Sequence, residues 1–268
     1  MKRSKHAKKN SNLKLILIGL LALLIAGAGL FGVGTLAFSS LHGGNEAPAA
    51  DFSALREKEP GEDRLSSSSG AQYEHLARCP VSWSDAVEDS YFNDALFIGD
   101  SLTDGLSAYG TLRNADYFGT VSATVSSVLS DPDLNTALAG GDYGKIYILL
   151  GINEMGSTVS SWINRYETLI ERVRSVQPDA LIYIQTIFPV IAEKTWSEKV
   201  FSREKITAAN DGLRLLADRA GCYLLDTHSA FADDSDRMPT TMTGDGVHLR
   251  PAYYAVWCDY LRTHTIQD

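Results

Sequence analysis

Ser101 stands where a short apolar run, residues 95–98, gives way through Gly99 and Asp100 to a segment that can start a helix. A strand that turns sharply into a helix leaves one side chain at the carboxyl edge of a sheet, where open α/β folds place their chemistry. A serine there lies beside helix N–H groups without intrahelical acceptors, which suits a nucleophile whose reaction builds negative charge. The alternative is that Ser101 only caps the helix, as Ser, Thr and Asp often do.

Two further loops carry residues that would complete such a reaction. Asn153 and Glu154 closely follow the apolar run 145–150, and Asp245 and His248 precede the last predicted helix. A histidine with a pKa near 6.5 can take a serine proton, an aspartate can orient its ring, and an asparagine amide can donate to an oxyanion. Each loop is ordinary when read singly, but together the three predict a serine nucleophile with its base, acid and oxyanion donor.

The chain beyond these loops alternates apolar runs with helical patterns. Helical spacing of apolar residues predicts Val159–Val176, ended by Pro178, and a second helix over Arg203–Ala220. Pro251 suits the first turn of a final helix over 252–263. Nearly continuous apolar strands indicate burial on both faces, and the alternation predicts a three-layer α/β/α domain with about five parallel strands. The predicted strands span residues 95–98, 115–118, 145–150, 180–187 and 222–225.

From about residue 94 to the end of the last helix, the sequence resembles the SGNH/GDSL hydrolases. Gly99-Asp-Ser101-Leu resembles the nucleophile block, Gly151-x-Asn153-Glu the asparagine block, and Asp245-x-x-His248 the acid–base block. The resemblance implies a flavodoxin-like fold and hydrolysis or transfer of small acyl groups without a metal or other cofactor. It also implies that Ser101 is the nucleophile, His248 the base and Asp245 its orienting acid.

One block departs from the family pattern. The family has a glycine after the second strand whose backbone N–H helps to form the oxyanion hole, and alignment on the following helix places Ser122 there. Gly119 lies three residues earlier and is the fallback donor. Because the donor is a backbone group, a serine can serve if its backbone reaches the required conformation. The expected oxyanion donors are therefore Ser101, Ser122 and Asn153.

Several other polar residues are candidates for supporting roles. Glu154 is expected either to line the substrate pocket or to pair with a basic neighbour such as Arg250. Trp196 lies in a long connection after the fourth strand and either stacks on a sugar ring or packs on the domain surface. Asp226 and His228 form a second acid–histidine pair at the same edge, although Asp226 suits a cap at a strand end better.

The N-terminal region predicts export and anchoring. Residues 1–14 carry six positive charges and no acid, and 15–38 is an uncharged stretch of 24 residues. At about 1.5 Å per residue, this stretch spans a hydrocarbon core of about 30 Å, with the N-terminus cytoplasmic. A cleaved signal peptide is the alternative, although its apolar core is usually shorter. Residues 39–72 have the composition of a flexible linker, which leaves 73–268 as the predicted hydrolase domain.

The net charge and the cysteine content restrict the classes of partner and of metal site that this chain is expected to have. Of 24 basic residues, six lie in the first 14, so 18 basic against 33 acidic residues give the exported part a net charge of −15. A strongly acidic domain argues against nucleic acid or anionic lipid headgroups as partners. The three cysteines, Cys79, Cys222 and Cys258, match no metal-binding spacing. Buried, inert cysteines are expected, with one disulfide as the alternative.

The sequence thus favours a membrane-anchored extracellular serine esterase that removes small acyl groups, above all O-acetyl groups, from polysaccharide or related esters. One alternative is an O-acetyltransferase domain that receives acyl groups from a membrane protein partner. A second is a non-catalytic glycan-binding domain on a hydrolase fold. A lipase with a long apolar lid is disfavoured because the sequence has no such segment.

Overall fold

A single parallel sheet organises residues 80–191 and 201–267, the part of the chain that the computed structural model describes. Its strand order is β2-β1-β3-β4-β5, which is the flavodoxin-like order. The predicted strands agree with it to within two residues at each end. The strands are β1 (Ala95–Gly99), β2 (Asp116–Gly119), β3 (Lys145–Leu149), β4 (Leu181–Gln185) and β5 (Tyr223–Leu225).

Helices connect successive strands. The helices predicted over Val159–Val176 and Arg203–Ala220 have those bounds in the structure, and the last helix begins one residue later than predicted, so Pro251 lies in the turn before it. The region after β2 forms two short helices. The helices are α1 (Ser101–Tyr109), α2 (Val125–Ser130), α3 (Leu134–Leu138), α4 (Val159–Val176), α5 (Arg203–Ala220), α6 (Thr227–Phe231) and α7 (Tyr253–Thr263).

The sheet is covered on both faces, as the continuous apolar strands predict. Alternate side chains of each strand enter different cores, because successive residues of a strand point to opposite faces. Leu96 and Ile98 lie in the core that contains α4 and α5, whereas Phe97 lies in the core that contains α1 and α7. The three-layer α/β/α architecture predicted from the sequence is therefore confirmed.

A row of aromatic rings crosses the whole sheet on the α1–α7 face. One ring comes from each strand, and neighbouring ring centroids are 5.2, 4.6, 4.6 and 5.4 Å apart from β2 to β5. The ring residues are direct partners in the strand register. Cross-strand aromatic pairs stabilise a sheet and help to fix its register. The row consists of Tyr117, Phe97, Tyr147, Tyr183 and Tyr223.

The strand order determines where a site can form. The chain leaves β1 for β2 on one side and then returns to β3 on the other side, so the order reverses between β1 and β3. Ligands of open α/β sheets bind outside the carboxyl ends of the strands at such a reversal. Ser101 follows β1 and Asn153 follows β3, which places both at this position.

Several predicted features lie outside the described residues. They include the basic flank 1–14, the apolar stretch 15–38, the linker 39–72, Cys79 and Trp196. Within 80–191 and 201–267, no helix is both long enough and apolar enough to span a membrane. Cys222 and Cys258 are both buried in the core, as expected.

Candidate active site

The turn between β1 and α1 presents Ser101 at the start of a helix. Asp100 is the N-cap residue of α1, and its Oδ1 accepts a 3.0 Å hydrogen bond from the Leu102 N–H. Gly99 makes this turn possible, since a Cβ there would lie 2.6 Å from the backbone oxygen of Leu149 on β3. The Ser101 N–H therefore lies in the first helical turn, where N–H groups have no intrahelical acceptor.

Ser101 belongs to a chain of three hydrogen-bonded side chains. Its Oγ lies 2.9 Å from His248 Nε2, and His248 Nδ1 lies 2.6 Å from Asp245 Oδ2. An ionised carboxylate only accepts hydrogen bonds, so Nδ1 carries the proton and the lone pair of a neutral ring lies on Nε2. That lone pair faces the Ser101 hydroxyl, which is the arrangement that a general base needs.

The loop after α6 holds Asp245 in place through its second oxygen. Asp245 Oδ1 accepts hydrogen bonds from the backbone N–H groups of Val247 and His248, at 2.9 and 2.8 Å. The Thr243 hydroxyl also lies 3.3 Å from Oδ1 and accepts the Gly246 N–H at 2.9 Å. Gly246 has a φ of 93°, a conformation that favours glycine.

Thr243 is a supporting residue that the sequence reasoning missed. It is fully buried and pairs with Leu249 in an isolated antiparallel bridge, while the Arg250 N–H donates to the Met242 carbonyl at 2.7 Å. These contacts close the loop that carries Asp245 and His248. The signal in the sequence is a threonine two residues before an aspartate, a spacing at which side chains often bond local backbone groups.

The contact between His248 and Asp245 shifts both pKa values. Partial burial would raise the pKa of Asp245, but the His248 side chain, two backbone N–H groups and the imidazolium charge together hold it well below its usual range. The hydrogen bond that His248 donates to Asp245 raises the pKa of His248 against the opposing effect of burial, and the charges of Asp245 and Asp100 raise it further. The pair thus favours the imidazolium that forms when the serine loses its proton.

Asp100 is an ionisable group enclosed by the protein. Burial raises the pKa of its carboxyl from 3.8 to about 6, against the opposing effects of the Leu102 N–H and of His248. Its Oδ2 is buried and has no hydrogen-bond partner. Its bond to the Leu102 N–H ties down the turn that carries Ser101.

Ser122 has the backbone conformation of a glycine position. Its φ is 61°, and the Ala123 N–H donates to the Thr120 carbonyl at 3.0 Å across the turn that contains it. Val121 does not share the positive φ, so only the third residue of the turn is left-handed, as in a type II turn. This geometry explains why glycine is suited to the position and how a serine occupies it.

Gly119, the fallback donor, is in a different environment. It is the last residue of β2 and pairs with Gly99 in the sheet. A Cβ at this position would lie 2.6 Å from the backbone nitrogen of Asp104 in α1. The structure thus gives Gly119 a packing reason to be glycine, because β2 and α1 approach closely there.

Asn153 links the loop after β3 to the loop that carries Ser122. Its Nδ2 donates a 3.0 Å hydrogen bond to the Ala123 carbonyl, and its side chain is exposed. An amide nitrogen carries two hydrogens, and this bond uses one of them. The preceding Gly151 has a φ of 137°, which allows the chain to turn directly from β3 into a short 3-10 helix, Ile152–Glu154.

Glu154 is in a different position from the one predicted. It is 5 % exposed, its Oε1 accepts the Val125 N–H at 2.9 Å, and its Oε2 lies 3.9 Å from an Arg165 nitrogen. The expected pocket-lining position is therefore corrected, since the carboxylate is bound inside the protein. The expected pairing with a basic neighbour is found, although that neighbour is Arg165 rather than Arg250.

The second acid–histidine pair does not form. Asp226 caps α6 by accepting the Ser229 N–H at 3.2 Å, which agrees with its expected role as a strand-end cap. His228 Nε2 instead lies 2.9 Å from Asp236 Oδ1, and its Nδ1 lies 3.0 Å from the Ile187 carbonyl. Among residues 80–191 and 201–267, no cluster of three or more His, Cys, Asp or Glu side chains is arranged to hold a metal ion.

Solved structures with the same fold come from several bacteria. A candidate platelet activating factor from Streptococcus pneumonia is 25 % identical, with a TM-score of 0.55 over 65 % of this chain and 88 % of that one. A GDSL-like lipase from Bacteroides thetaiotaomicron is 14 % identical, with a TM-score of 0.54 over 63 % and 86 %. A mutant acetyl-xylooligosaccharide esterase from Geobacillus is 17 % identical, with a TM-score of 0.50 over 65 % and 94 %.

The last two likenesses, at identities below 25 %, show a shared fold. No curated protein matches the sequence significantly. The sequence profile of the GDSL-like lipase/acylhydrolase family matches residues 97–256, which is more than half of the chain and includes Ser101, Asn153, Asp245 and His248. The chain belongs to this family and is a serine ester hydrolase.

Proposed function

We propose that this protein removes small acyl groups, chiefly O-acetyl groups, from carbohydrate or related esters through an acyl-enzyme on Ser101. The observation that carries the proposal is the chain of contacts from Ser101 Oγ to His248 at 2.9 Å and from His248 to Asp245 at 2.6 Å. Such a chain supplies a nucleophile, its base and the group that orients the base.

Acylation begins when Ser101 Oγ attacks the ester carbonyl carbon and His248 Nε2 takes the hydroxyl proton. The carbonyl electrons move to oxygen, and the oxyanion is met by the N–H groups of Ser101 and Ser122 and by the Asn153 amide. One such donor typically stabilises the transition state by about 2.7–4 kcal/mol. When the intermediate collapses, the bond to the alcohol oxygen breaks, and His248 returns the proton to that oxygen.

Deacylation repeats these steps with water. His248 takes a proton from a water molecule, whose oxygen forms a bond to the acyl carbon, and the second oxyanion is bound by the same donors. The bond from that carbon to Ser101 Oγ then breaks, and His248 returns the proton to the serine. Asp245 remains ionised throughout and stabilises the imidazolium in each half-reaction.

The proposal of a bulky alcohol half rests on how open the site is. The His248 and Asp245 side chains are 47 % and 57 % exposed. A base this accessible can meet an ester on the surface of a polymer without the polymer entering a deep cavity. A mutant acetyl-xylooligosaccharide esterase shares the fold, which is compatible with an O-acetylated carbohydrate as the substrate.

We also propose that residues 15–38 anchor the protein in the cell membrane, with residues 1–14 in the cytoplasm and the hydrolase domain outside. The proposal is supported by the basic flank and by the 24-residue uncharged stretch that follows it. This location brings the domain close to polysaccharide of the cell envelope. Its net acidic charge argues against nucleic acid as a partner.

The substrate proposal is tested by comparing acyl length and alcohol in one set of assays. Acetate release from an O-acetylated xylan is measured beside hydrolysis of aryl acetate and aryl octanoate esters. We expect acetate release from the polysaccharide and a kcat/KM for aryl acetate at least about 10-fold above that for octanoate. A preference for octanoate, with no acetate released from the polysaccharide, would contradict the proposal.

A further inference from the structure

Two consecutive residues after β3 hold the loop that carries Ser122. The Asn153 side chain donates to the Ala123 carbonyl at 3.0 Å, and the Glu154 carboxylate accepts the Val125 N–H at 2.9 Å. The two bonds hold Ala123, which directly follows Ser122, and Val125, which is the first residue of α2. The segment that would supply an oxyanion donor is therefore fixed from the loop that supplies another.

The held segment contains a residue in a conformation that a serine rarely adopts. Ser122 has a φ of 61°, in the left-handed region where a Cβ is unfavourable. Such conformations persist only where the surrounding contacts determine them strongly. Without those contacts, a serine at this position is expected to relax to negative φ, which would turn its N–H away from its present direction.

Glu154 supplies one of these contacts from a buried position. It is 5 % exposed, although glutamate is seldom buried unless it is paired. Its nearest basic group, Arg165 Nη2, is 3.9 Å from Oε2, whereas the Val125 N–H is 2.9 Å from Oε1. The direct hydrogen bond to the loop, rather than the longer ion pair, is the contact that defines where the carboxylate lies.

From this geometry we propose that Glu154 is a positioning residue for the oxyanion hole. Through Val125 it keeps the Ser122 N–H directed at the developing oxyanion, although its carboxylate does not contact the substrate. This inference rests on the proposed function, because it requires that Ser122 donates to an oxyanion. Loss of the Glu154 contact should therefore weaken stabilisation of the transition state more than it weakens substrate binding.

Two substitutions at Glu154 distinguish positioning of the loop, which depends on the length of the side chain, from an effect of the negative charge. In Glu154→Gln the amide oxygen can still accept the Val125 N–H, although the charge beside Arg165 is lost. In Glu154→Asp the charge remains, but a side chain shorter by one methylene no longer reaches Val125. We expect Glu154→Gln to keep kcat within about 3-fold, and Glu154→Asp to lose about 10- to 100-fold in kcat with KM within about 2-fold.

A second substitution tests whether the effect passes through Ser122. Glycine adopts positive φ without strain, so Ser122→Gly should hold the loop conformation even when the Glu154 contact is lost. The kcat loss of Glu154→Asp should therefore be at least about 3-fold smaller in the Ser122→Gly background than in the parent. A merely structural role for Glu154 predicts equal losses in both backgrounds.

The measurements use the purified full-length protein with aryl acetate as substrate, and thermal unfolding confirms that each variant is folded. Glu167→Gln and Glu167→Asp are matched controls, because Glu167 lies on α4 and pairs with Arg219. A lower kcat for Glu154→Gln than for Glu154→Asp would overturn the inference, as would equal kcat losses of Glu154→Asp with and without Ser122→Gly. In either case, turnover by the parent protein would still support the proposed function. Absence of parent turnover would overturn both.

Discussion

In the proposed mechanism, the contact between Asp245 and His248 controls the pH range in which Ser101 can be activated. His248 must be neutral to take a proton, and its hydrogen bond to Asp245 raises its pKa above 6.5. The proposed mechanism therefore loses activity as the pH falls through this raised pKa. The acid limb of kcat/KM reports that value for the free enzyme.

Replacement of Asp245 by asparagine should move this limb. Without the carboxylate charge the imidazolium is less stable, so the pKa of His248 falls and the acid limb shifts to lower pH. Because the ring also loses the acceptor that fixes its tautomer, kcat should fall by about 10²- to 10⁴-fold. The kcat/KM profile of Asp245→Asn against pH checks both effects, and a limb at unchanged or higher pH would contradict the assigned pairing.

Asp100 should lower the stability of the protein when it is ionised. Its folded-state pKa of about 6 lies above the ordinary 3.8, so the folded state binds the proton more tightly. Stability therefore falls as the pH rises through this window, and the penalty is fully present above pH 6. Asp100→Asn keeps an acceptor for Leu102 and should raise the free energy of unfolding by about 1–3 kcal/mol near pH 8.

Urea unfolding at about pH 8 and about pH 3 measures this difference, which should nearly vanish at the lower pH because Asp100 is then largely protonated in both the folded and the unfolded state. Asp104→Asn is the control, since Asp104 lies on the same helix and is exposed. An equal gain in the control, or a gain that persists at low pH, would show that burial of the Asp100 charge is not the cause.

The residues of the site were easier to predict from the sequence than the contacts that support them. Ser101, Asn153, Asp245 and His248 could be located because short motifs after strands and before the last helix mark them. The inward position of Glu154 could not be inferred, because its partner Val125 is 29 residues away in the chain and contributes only a backbone N–H. Because almost any residue type can supply a backbone N–H, the identity of the partner residue gives no sign of such a contact.

At the scale of elements, the junction of β1 and α1 depends on glycine. A Cβ at Gly99 would lie 2.6 Å from the Leu149 backbone oxygen, which cannot move without shifting β3. Gly99→Ala should therefore reduce the free energy of unfolding by about 1–3 kcal/mol and lower kcat by displacing Ser101.

The matched control for this change is Gly156→Ala. A Cβ at Gly156 meets no atom within 4 Å, so its effect on stability should stay within about 0.5 kcal/mol. Chemical denaturation and aryl acetate turnover of both variants test the comparison. Equal effects of the two substitutions would mean that the close approach of β1 and β3 is not what requires glycine.

Long elements were predictable and short ones were not. The helix Val159–Val176 has its predicted bounds because 18 residues give several turns of apolar periodicity and Pro178 lies beyond its end. The five-residue helix α6 was missed, since one turn gives too little periodicity to recognise. It also explains the unexpected partner of His228, because the helix turns His228 away from Asp226 and towards Asp236.

For the molecule as a whole, the proposed anchor gives a test of location. Full-length protein should sediment with membranes, whereas a variant that lacks residues 2–38 should remain in the supernatant, since it lacks the only uncharged stretch of 24 residues. Ultracentrifugation of cell extracts, with and without alkaline carbonate washing, measures the distribution. A truncated variant that still sediments like the full-length protein would contradict anchoring by this segment.

The architecture of the whole domain followed from the pattern of elements alone. Alternating apolar strands and helices restrict the fold to a parallel sheet with helices on both faces, and right-handed crossovers leave few strand orders. What the pattern does not encode is the exposure of the site. The half-exposed side chains of His248 and Asp245 depend on how the loop 242–250 packs, which only the assembled molecule shows.

The most direct test of Ser101 as nucleophile is hydrolysis of an aryl acetate by the full-length protein and by Ser101→Ala at about pH 8, above the ordinary imidazole pKa of about 6.5. We expect turnover by the parent and a loss of at least about 10³-fold in kcat in the variant, with an unchanged melting temperature. Turnover that persists in folded Ser101→Ala, or no turnover by the parent, would contradict the assignment of Ser101 as the nucleophile of an acyl-enzyme.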